Sequence, residues 1–164
     1  MTQSREAHLA RFTDEQLAYH EAGHAVIHHL QGGIVTRLSI ERTDPRQGTH
    51  VGPQPPLSEA ADPQQALRER VAVLVAGEVA ATIRGAPADA VAAGGRVDRE
   101  AAERAAAEVG LDAAAARAMI EAEWPRVRAR LEEPDTWTLV EIAAQALLER
   151  KSLVADLFRA TIGR

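Results

Sequence analysis

The chain contains no cysteine. Disulfide bonds and thiolate metal sites are therefore excluded, and any zinc ion has to be bound by histidine and carboxylate side chains. Aromatic residues are also scarce, at 3% of the sequence, whereas hydrophobic residues as a whole make up 46%. Since alanine dominates the hydrophobic fraction, the composition favours helices around a core of small aliphatic groups.

The sequence has no long hydrophobic run and no basic patch. A membrane-spanning helix needs about 20 predominantly apolar residues, and no segment approaches that length. The net charge of -5 argues against a nucleic-acid partner. Residues 1–11 are polar and lack the apolar core of a signal peptide, so we interpret them as a lead-in. We therefore expect one domain over residues 1–164, located in the cytoplasm.

Residues 20–24 read His-Glu-Ala-Gly-His. If this segment is helical, His20 and His24 lie one turn apart on the same face, and both imidazoles could bind one zinc ion at about 2.0–2.1 Å. Glu21 lies beside them, where its carboxylate could reach a water in the open position of the metal. This is the arrangement of two ligands and a general base found in metallopeptidases. The alternative is a chance match, but such matches usually fall in strands, loops or polar runs.

The residues around the motif predict a helix from about residue 14 to residue 31. Thr13 and Gln16 form a capping-box pattern, apolar residues follow at helical spacing, and two glycines end the pattern. Gly23 inside the motif disfavours a helix by about 1 kcal/mol relative to alanine. This glycine therefore suggests that another part of the chain approaches the backbone closely.

A small β-hairpin is predicted after the motif helix. Ile34, Leu38 and Ile40 alternate with polar residues in segment 34–42, which is typical of a half-buried strand. Residues 49–51 could add a short second strand after a turn. The hairpin could cover the motif helix, or offer a free edge to which an extended peptide adds as a strand. The two roles are compatible.

The rest of the chain predicts further helices. A hydrophobic helix begins after Asp62 as its cap and ends before Gly85, and we expect it in the core against the motif helix. Residues 88–95 resemble a connection of small residues, followed by a helix from about residue 98 to residue 109.

Three shorter helices complete the expected fold. The first covers residues 113–123, begins after Asp112 and is interrupted by Pro125. The second begins at a capping box at Thr138, and the third is capped by Ser152. The fold class is therefore mainly α, with a small β-hairpin or sheet beside the motif helix.

A catalytic zinc site needs three protein ligands and an open position, so the third ligand must come from another element. Asp98 is one candidate, although an aspartate at the start of a helix is also explained as a cap. The carboxylates of this region that could complete the site are Asp89, Asp98, Glu100 and Glu103. Sequence spacing alone does not choose among them.

Five segments resemble, in the same order, the peptidase domain of the FtsH-type zinc metalloproteases. They are the motif helix (19–25), the strand after it (35–40, followed by Gly48), the Gly-Gly-Arg-Ala-Ala-Glu segment (76–81), the stretch carrying the aspartate ligand (94–102) and the closing Leu-Leu-Glu-x-Glu-Thr-Leu segment (147–153). The first of these matches residue for residue. Because the segments cover most of the chain, the resemblance is more specific than the motif alone.

The resemblance implies that His20, His24 and Asp98 are zinc ligands and that Glu21 is the general base. It implies a metallopeptidase domain that hydrolyses peptide bonds of unfolded or flexible polypeptides. The family's domain is normally fused to an ATP-driven unfoldase and membrane anchors, but this sequence has no Gly-x-x-x-x-Gly-Lys phosphate loop and no membrane span. We therefore expect a stand-alone enzyme, to which a separate ATPase could deliver substrates and which could form homo-oligomers.

A non-catalytic, protein-binding module of the same fold is the alternative, with a structural zinc ion or none. The missing motor favours it, and so does Ala81, which stands where the family has glutamate. Glu21 argues against it, because a structural site has no use for a base. A fourth protein ligand would indicate a structural site, and His28, one turn beyond His24, is the histidine that could crowd the metal.

Overall fold

The computed structural model describes residues 12–163, which form six α-helices and a three-stranded antiparallel sheet. In chain order the elements are α1 (Asp14–Leu30), β1 (Val35–Ser39), β2 (Gly48–Val51), a short 3-10 helix (Leu57–Glu59), α2 (Pro63–Ile83), α3 (Ala88–Glu108), α4 (Ala113–Leu131), α5 (Pro134–Arg150), β3 (Ser152–Val154) and α6 (Ala155–Ile162). The prediction of a mainly helical fold with a small sheet is confirmed. The lead-in expected at residues 1–11 lies outside the described residues. Within residues 12–163, no helix has both the length and the apolar character needed to cross a membrane.

Helix α1 begins where its sequence predicts. The Thr13 side chain accepts a hydrogen bond from the Gln16 backbone N–H, and the Gln16 side chain accepts one from the Thr13 backbone N–H, both at 3.1 Å. This reciprocal pairing satisfies two donors that a helix start otherwise leaves free. The helix ends at Leu30, one residue before the predicted end.

Helix α2 crosses α1 at Gly23. A methyl group added at Gly23 would lie 2.6 Å from both the Ala76 carbonyl oxygen and the Ala80 side chain. The glycine therefore permits the close approach of a second backbone, as its place in the motif suggested. Helix α2 also packs against α3 and α4, so it lies at the centre of the helical core.

The sheet has the strand order β2-β1-β3, and both pairs are antiparallel. Leu38 and Ile40 are buried, as predicted, but Ile34 is 62% exposed. The alternation fails because β1 begins only at Val35 and its register with β2 shifts between Val35 and Arg37.

Strand β3 was not predicted. Ser152 was expected to cap the last helix, but it pairs with Ser39 of β1, and α6 begins only at Ala155. Lys151 ends α5 with a φ of 63°, which turns the chain towards the sheet. Since β3 covers one edge of β1, the outer edge of the predicted hairpin is that of β2.

The expected connection at residues 88–95 is wrong, because these residues belong to helix α3. Added methyl groups would lie 2.1 Å from the Phe12 ring at Gly94 and 2.1 Å from Glu78 Oε1 at Gly95. Both glycines are therefore explained by close side-chain packing rather than by a break in the helix. Asp98 lies well inside α3, so its interpretation as a helix cap is also wrong.

Two other helix boundaries differ from the prediction. Helix α4 begins after Asp112 as expected but continues through Pro125 to Leu131, because its buried side extends beyond the proline. Helix α5 begins at Pro134, so Thr138 lies inside it and its hydroxyl donates to the Pro134 carbonyl at 2.8 Å. Proline at the first helical position is the stronger start signal here.

Candidate metal centre

Two histidines of α1 and one aspartate of α3 bring three potential ligand atoms together. The Nε2 atoms of His20 and His24 are 3.1 Å apart. Asp98 Oδ2 lies 3.4 Å from His20 Nε2 and 3.3 Å from His24 Nε2. Both histidines are buried, and the Asp98 side chain is 14% exposed. Within residues 12–163, this is the only group of three or more histidine or acidic side chains with ligand atoms this close together.

The spacing of these atoms fits a tetrahedral metal ion. Zinc binds histidine nitrogen and carboxylate oxygen at about 2.0–2.2 Å, and tetrahedral angles then separate neighbouring ligand atoms by about 3.3 Å. The three observed separations are 3.1, 3.3 and 3.4 Å. Two imidazole nitrogens can approach this closely only if a proton or a metal ion lies between them, since two lone pairs repel. The group could therefore hold a metal ion.

The charges of the group also favour a cation. Burial lowers the pKa of His24, but the Asp98 carboxylate outweighs burial and raises that pKa to about 9. Burial raises the pKa of Asp98, but His24 and His20 outweigh it and hold this pKa well below its usual range. Without a metal ion, the group therefore keeps an ionised aspartate and a protonated His24 at neutral pH. A metal ion has to displace that proton, because a ligating imidazole is neutral.

The two imidazoles are oriented in different ways. His24 Nδ1 donates to the Val73 carbonyl oxygen at 2.7 Å, which leaves the Nε2 lone pair available to a metal. His20 Nδ1 is buried and has no hydrogen-bond partner within residues 12–163. The His20 ring is held instead by packing against two other rings. Its centroid lies 5.3 Å from that of the Phe12 ring and 4.6 Å from that of the His24 ring.

Gly77 of α2 leaves the space in which these imidazoles meet. A methyl group at this position would lie 2.3 Å from His24 Nε2 and 2.7 Å from His20 Cε1. Any larger residue would therefore occupy the region of the ligand atoms. Sequence reasoning noted this glycine only as part of a resembling segment and did not find its role.

A partly buried ion pair involves the residue that follows Asp98 in the chain. Arg99, the next residue on α3, donates to both oxygens of Glu78 on α2, with Nε–Oε1 and Nη2–Oε2 distances of 2.6 and 2.8 Å. Glu78 is only 2% exposed, and Gly95 provides the room for its side chain. Such a two-point contact fixes how α3 lies on α2, and so it helps to place Asp98. Nothing in the sequence spacing indicated this pair.

Glu21, the predicted base, is completely buried beside His20. Its Oε2 accepts a hydrogen bond of 2.8 Å from the Thr49 hydroxyl of β2. Its Oε1 has no hydrogen-bond partner within residues 12–163. Within residues 12–163, the carboxylate is therefore held by a hydrogen bond to Oε2 alone.

The structure distinguishes among the candidate ligands. Of the four carboxylates considered, Asp98 joins the two histidines, while Asp89, Glu100 and Glu103 do not belong to the group. His28 does not crowd it either. A methyl group at Gly33 would lie 2.3 Å from the His28 ring, so this ring packs against the chain that follows α1.

Two neighbouring cavities lie near the group. The first, of about 120 Å³, is lined by His24 and Asp98 together with both polar and apolar residues of α2, β2 and the loop after β2. The second, of about 200 Å³, includes His28. Both cavities share Gln54, Arg70 and Val73, so they adjoin each other beside α2 and the loop after β2, and we refer to the two together as the groove. Arg70 Nη2 donates to the Pro55 carbonyl at 3.1 Å, which braces that loop.

No protein-family model matches the chain, and no curated protein matches it.

Proposed function

We propose that this protein is a zinc metallopeptidase of the FtsH type, which hydrolyses peptide bonds of unfolded or flexible polypeptides. The observation that carries the proposal is the convergence of His20, His24 and Asp98, with pairwise separations of 3.1–3.4 Å, beside the buried Glu21. Two imidazoles and one carboxylate are a ligand set that suits zinc. Three protein ligands also leave one coordination position open, which distinguishes catalytic from structural zinc sites.

Zinc, when bound, supplies Lewis-acid chemistry, polarising a peptide carbonyl and lowering the pKa of water. The protein supplies the proton transfers. Glu21 takes a proton from the attacking water and later gives it to the nitrogen of the leaving amine. The buried setting of Glu21 suits this role, because its Oε1 has no competing donor within residues 12–163.

The surroundings of the group suit an extended polypeptide. The two cavities of the groove have volumes of only about 120 and 200 Å³, so they suit side chains of an extended polypeptide better than a folded surface. Strand β2 borders the group through Thr49 and forms one edge of the sheet. An extended substrate could pair with this edge as an added strand. A separate ATPase that unfolds substrates remains compatible with this geometry.

A non-catalytic module with a structural zinc ion, or with none, is the second candidate. The buried His20 Nδ1 without a partner in residues 12–163 favours it, because zinc-binding histidines usually donate their second N–H to an acceptor. Ala81 also favours the non-catalytic module. The resembling family has a glutamate at this position, and alanine has no carboxylate with which to support the metal ligands. The group of only three potential ligands within residues 12–163 and the buried Glu21 favour the enzyme.

The test compares zinc-loaded wild type with Glu21→Gln, using casein and a flexible fluorogenic peptide. Glu21→Gln should keep its zinc and lose at least about 100-fold in cleavage rate. Glu15→Gln is the matched control on the same helix, where the side chain is half exposed and pairs with Arg84, and it should cleave as wild type does. Cleavage that survives in Glu21→Gln would remove this residue from the mechanism. A wild type that binds zinc and cleaves nothing would support the non-catalytic module.

A further inference from the structure

The Thr49 hydroxyl contacts Glu21 at two points. Its oxygen lies 2.8 Å from Glu21 Oε2 and 2.9 Å from the Glu21 backbone carbonyl oxygen. A hydroxyl has one proton, and both neighbours are acceptors, so Thr49 donates to one of them at a time. The carbonyl lies within α1, where the helix backbone supplies its own donor. The side-chain carboxyl has no other donor within residues 12–163, so it gains more from the Thr49 proton.

Glu21 depends on this contact. The side chain is 0% exposed, and a buried carboxylate is costly unless it is hydrogen-bonded. Its other oxygen has no partner within residues 12–163. A glutamate has three rotatable side-chain bonds, and the hydroxyl of Thr49 selects the orientation in which Oε2 faces β2. Oε1 is then the oxygen that has no hydrogen-bond donor within residues 12–163.

Thr49 belongs to strand β2, whereas Glu21 belongs to helix α1. It pairs with the buried Leu38 across the β1–β2 ladder. It also lines the cavity that contains His24 and Asp98. One side chain therefore connects the sheet, the base and the cavity beside the candidate metal group.

We propose that Thr49 is a positioning residue for Glu21, whose carboxylate it keeps in the single orientation needed for proton transfer. This inference rests on the proposed peptidase function. The competing explanation is purely structural: the hydroxyl would only tie β2 to the α1 backbone. The two explanations differ in what loss of the hydroxyl does to kcat when zinc binding and folding are unchanged.

The test uses the zinc-loaded full chain and three variants. Thr49→Val removes the hydroxyl with little change in shape, Thr49→Ala removes it without adding a methyl group, and Thr49→Ser keeps it. Thr82→Val is the matched control, because the Thr82 hydroxyl also bonds a glutamate backbone carbonyl, that of Glu78 at 2.8 Å, but no carboxylate. For each protein, kcat and KM on a fluorogenic peptide, zinc affinity by chelator competition, and thermal unfolding are measured.

We expect Thr49→Val and Thr49→Ala to lower kcat by about 10- to 100-fold, since small misplacements of a catalytic group have effects of this size. KM and zinc affinity should stay close to those of wild type, and Thr49→Ser should restore most of kcat. Thr82→Val should leave kcat unchanged.

The inference is overturned if both hydroxyl-free variants keep the wild-type kcat, if serine does not restore it, or if zinc affinity falls in parallel with kcat. Those outcomes leave the peptidase function intact, because the wild type still cleaves. A wild type that cleaves no peptide overturns the proposed function and this inference together.

Discussion

Asp98 Oδ2 lies 3.3 Å from His24 Nε2, although Asp98 belongs to α3 and His24 to α1. Helix α2 packs against both of these helices and sets the distance between them. The backbone of α2 passes close to α1 at Gly23 of α1. Glu78 of α2 holds α3 through its ion pair with Arg99. The position of the third potential ligand is therefore a property of how three helices pack.

The ion pair between Arg99 and Glu78 should matter for metal binding. Arg99→Met removes the partner of the buried Glu78 and loosens the placement of α3, so we expect zinc affinity to fall by about 10- to 100-fold, as for other groups that support metal ligands. Arg96→Met, on the same helix with a side chain 63% exposed, is the control and should bind zinc as wild type does. Chelator competition measures both. Equal affinity in Arg99→Met and wild type would show that the pair does not place Asp98.

Gly77→Ala should abolish zinc binding or reduce it severely. Its methyl group would lie 2.3 Å from His24 Nε2, too close for any contact without displacement of the imidazole. At Gly52 the nearest atom to an added methyl group would be 3.4 Å away, an ordinary contact, so Gly52→Ala serves as the control. Metal analysis after dialysis against buffered zinc checks the result, and stoichiometric zinc in Gly77→Ala would contradict it.

Zinc binding should release a proton at neutral pH. The pKa of His24 is raised to about 9, chiefly by the Asp98 carboxylate, so this imidazole is mainly protonated at neutral pH when no metal is bound. Zinc needs the neutral form, so the apparent affinity should increase about tenfold per pH unit as pH rises towards 9 and then level off. Calorimetry in two buffers of different ionisation enthalpy measures the released proton. Release of no proton at pH 7 would contradict the assignment.

The sequence predicted the first half of the candidate site well because its signals are local. The capping pair Thr13 and Gln16 and the spacing of His20 and His24 within α1 belong to one short segment. Gly23 even indicated the crossing of a second backbone, and the structure places Ala76 there.

The second half could not be predicted from local signals. Gly94 and Gly95 disfavour a helix by themselves, and only the packing of Phe12 and Glu78 against them explains why α3 continues through both. Strand β3 was missed because three residues carry little periodicity, and its pairing partner β1 is distant in the chain. Sequence spacing alone did not choose among four carboxylates as the third ligand, and only the family resemblance favoured Asp98. In the structure, Asp98 is the carboxylate that lies next to the two histidines.

The most direct test of the metal centre is an anomalous difference map at the zinc absorption edge, from crystals of the zinc-loaded full chain. We predict one strong peak, at about 2.0–2.2 Å from His20 Nε2, His24 Nε2 and an Asp98 oxygen, with the fourth position held by no protein side chain. A peak with a fourth protein ligand would make the site structural, and the absence of any peak between these three residues would contradict the central claim.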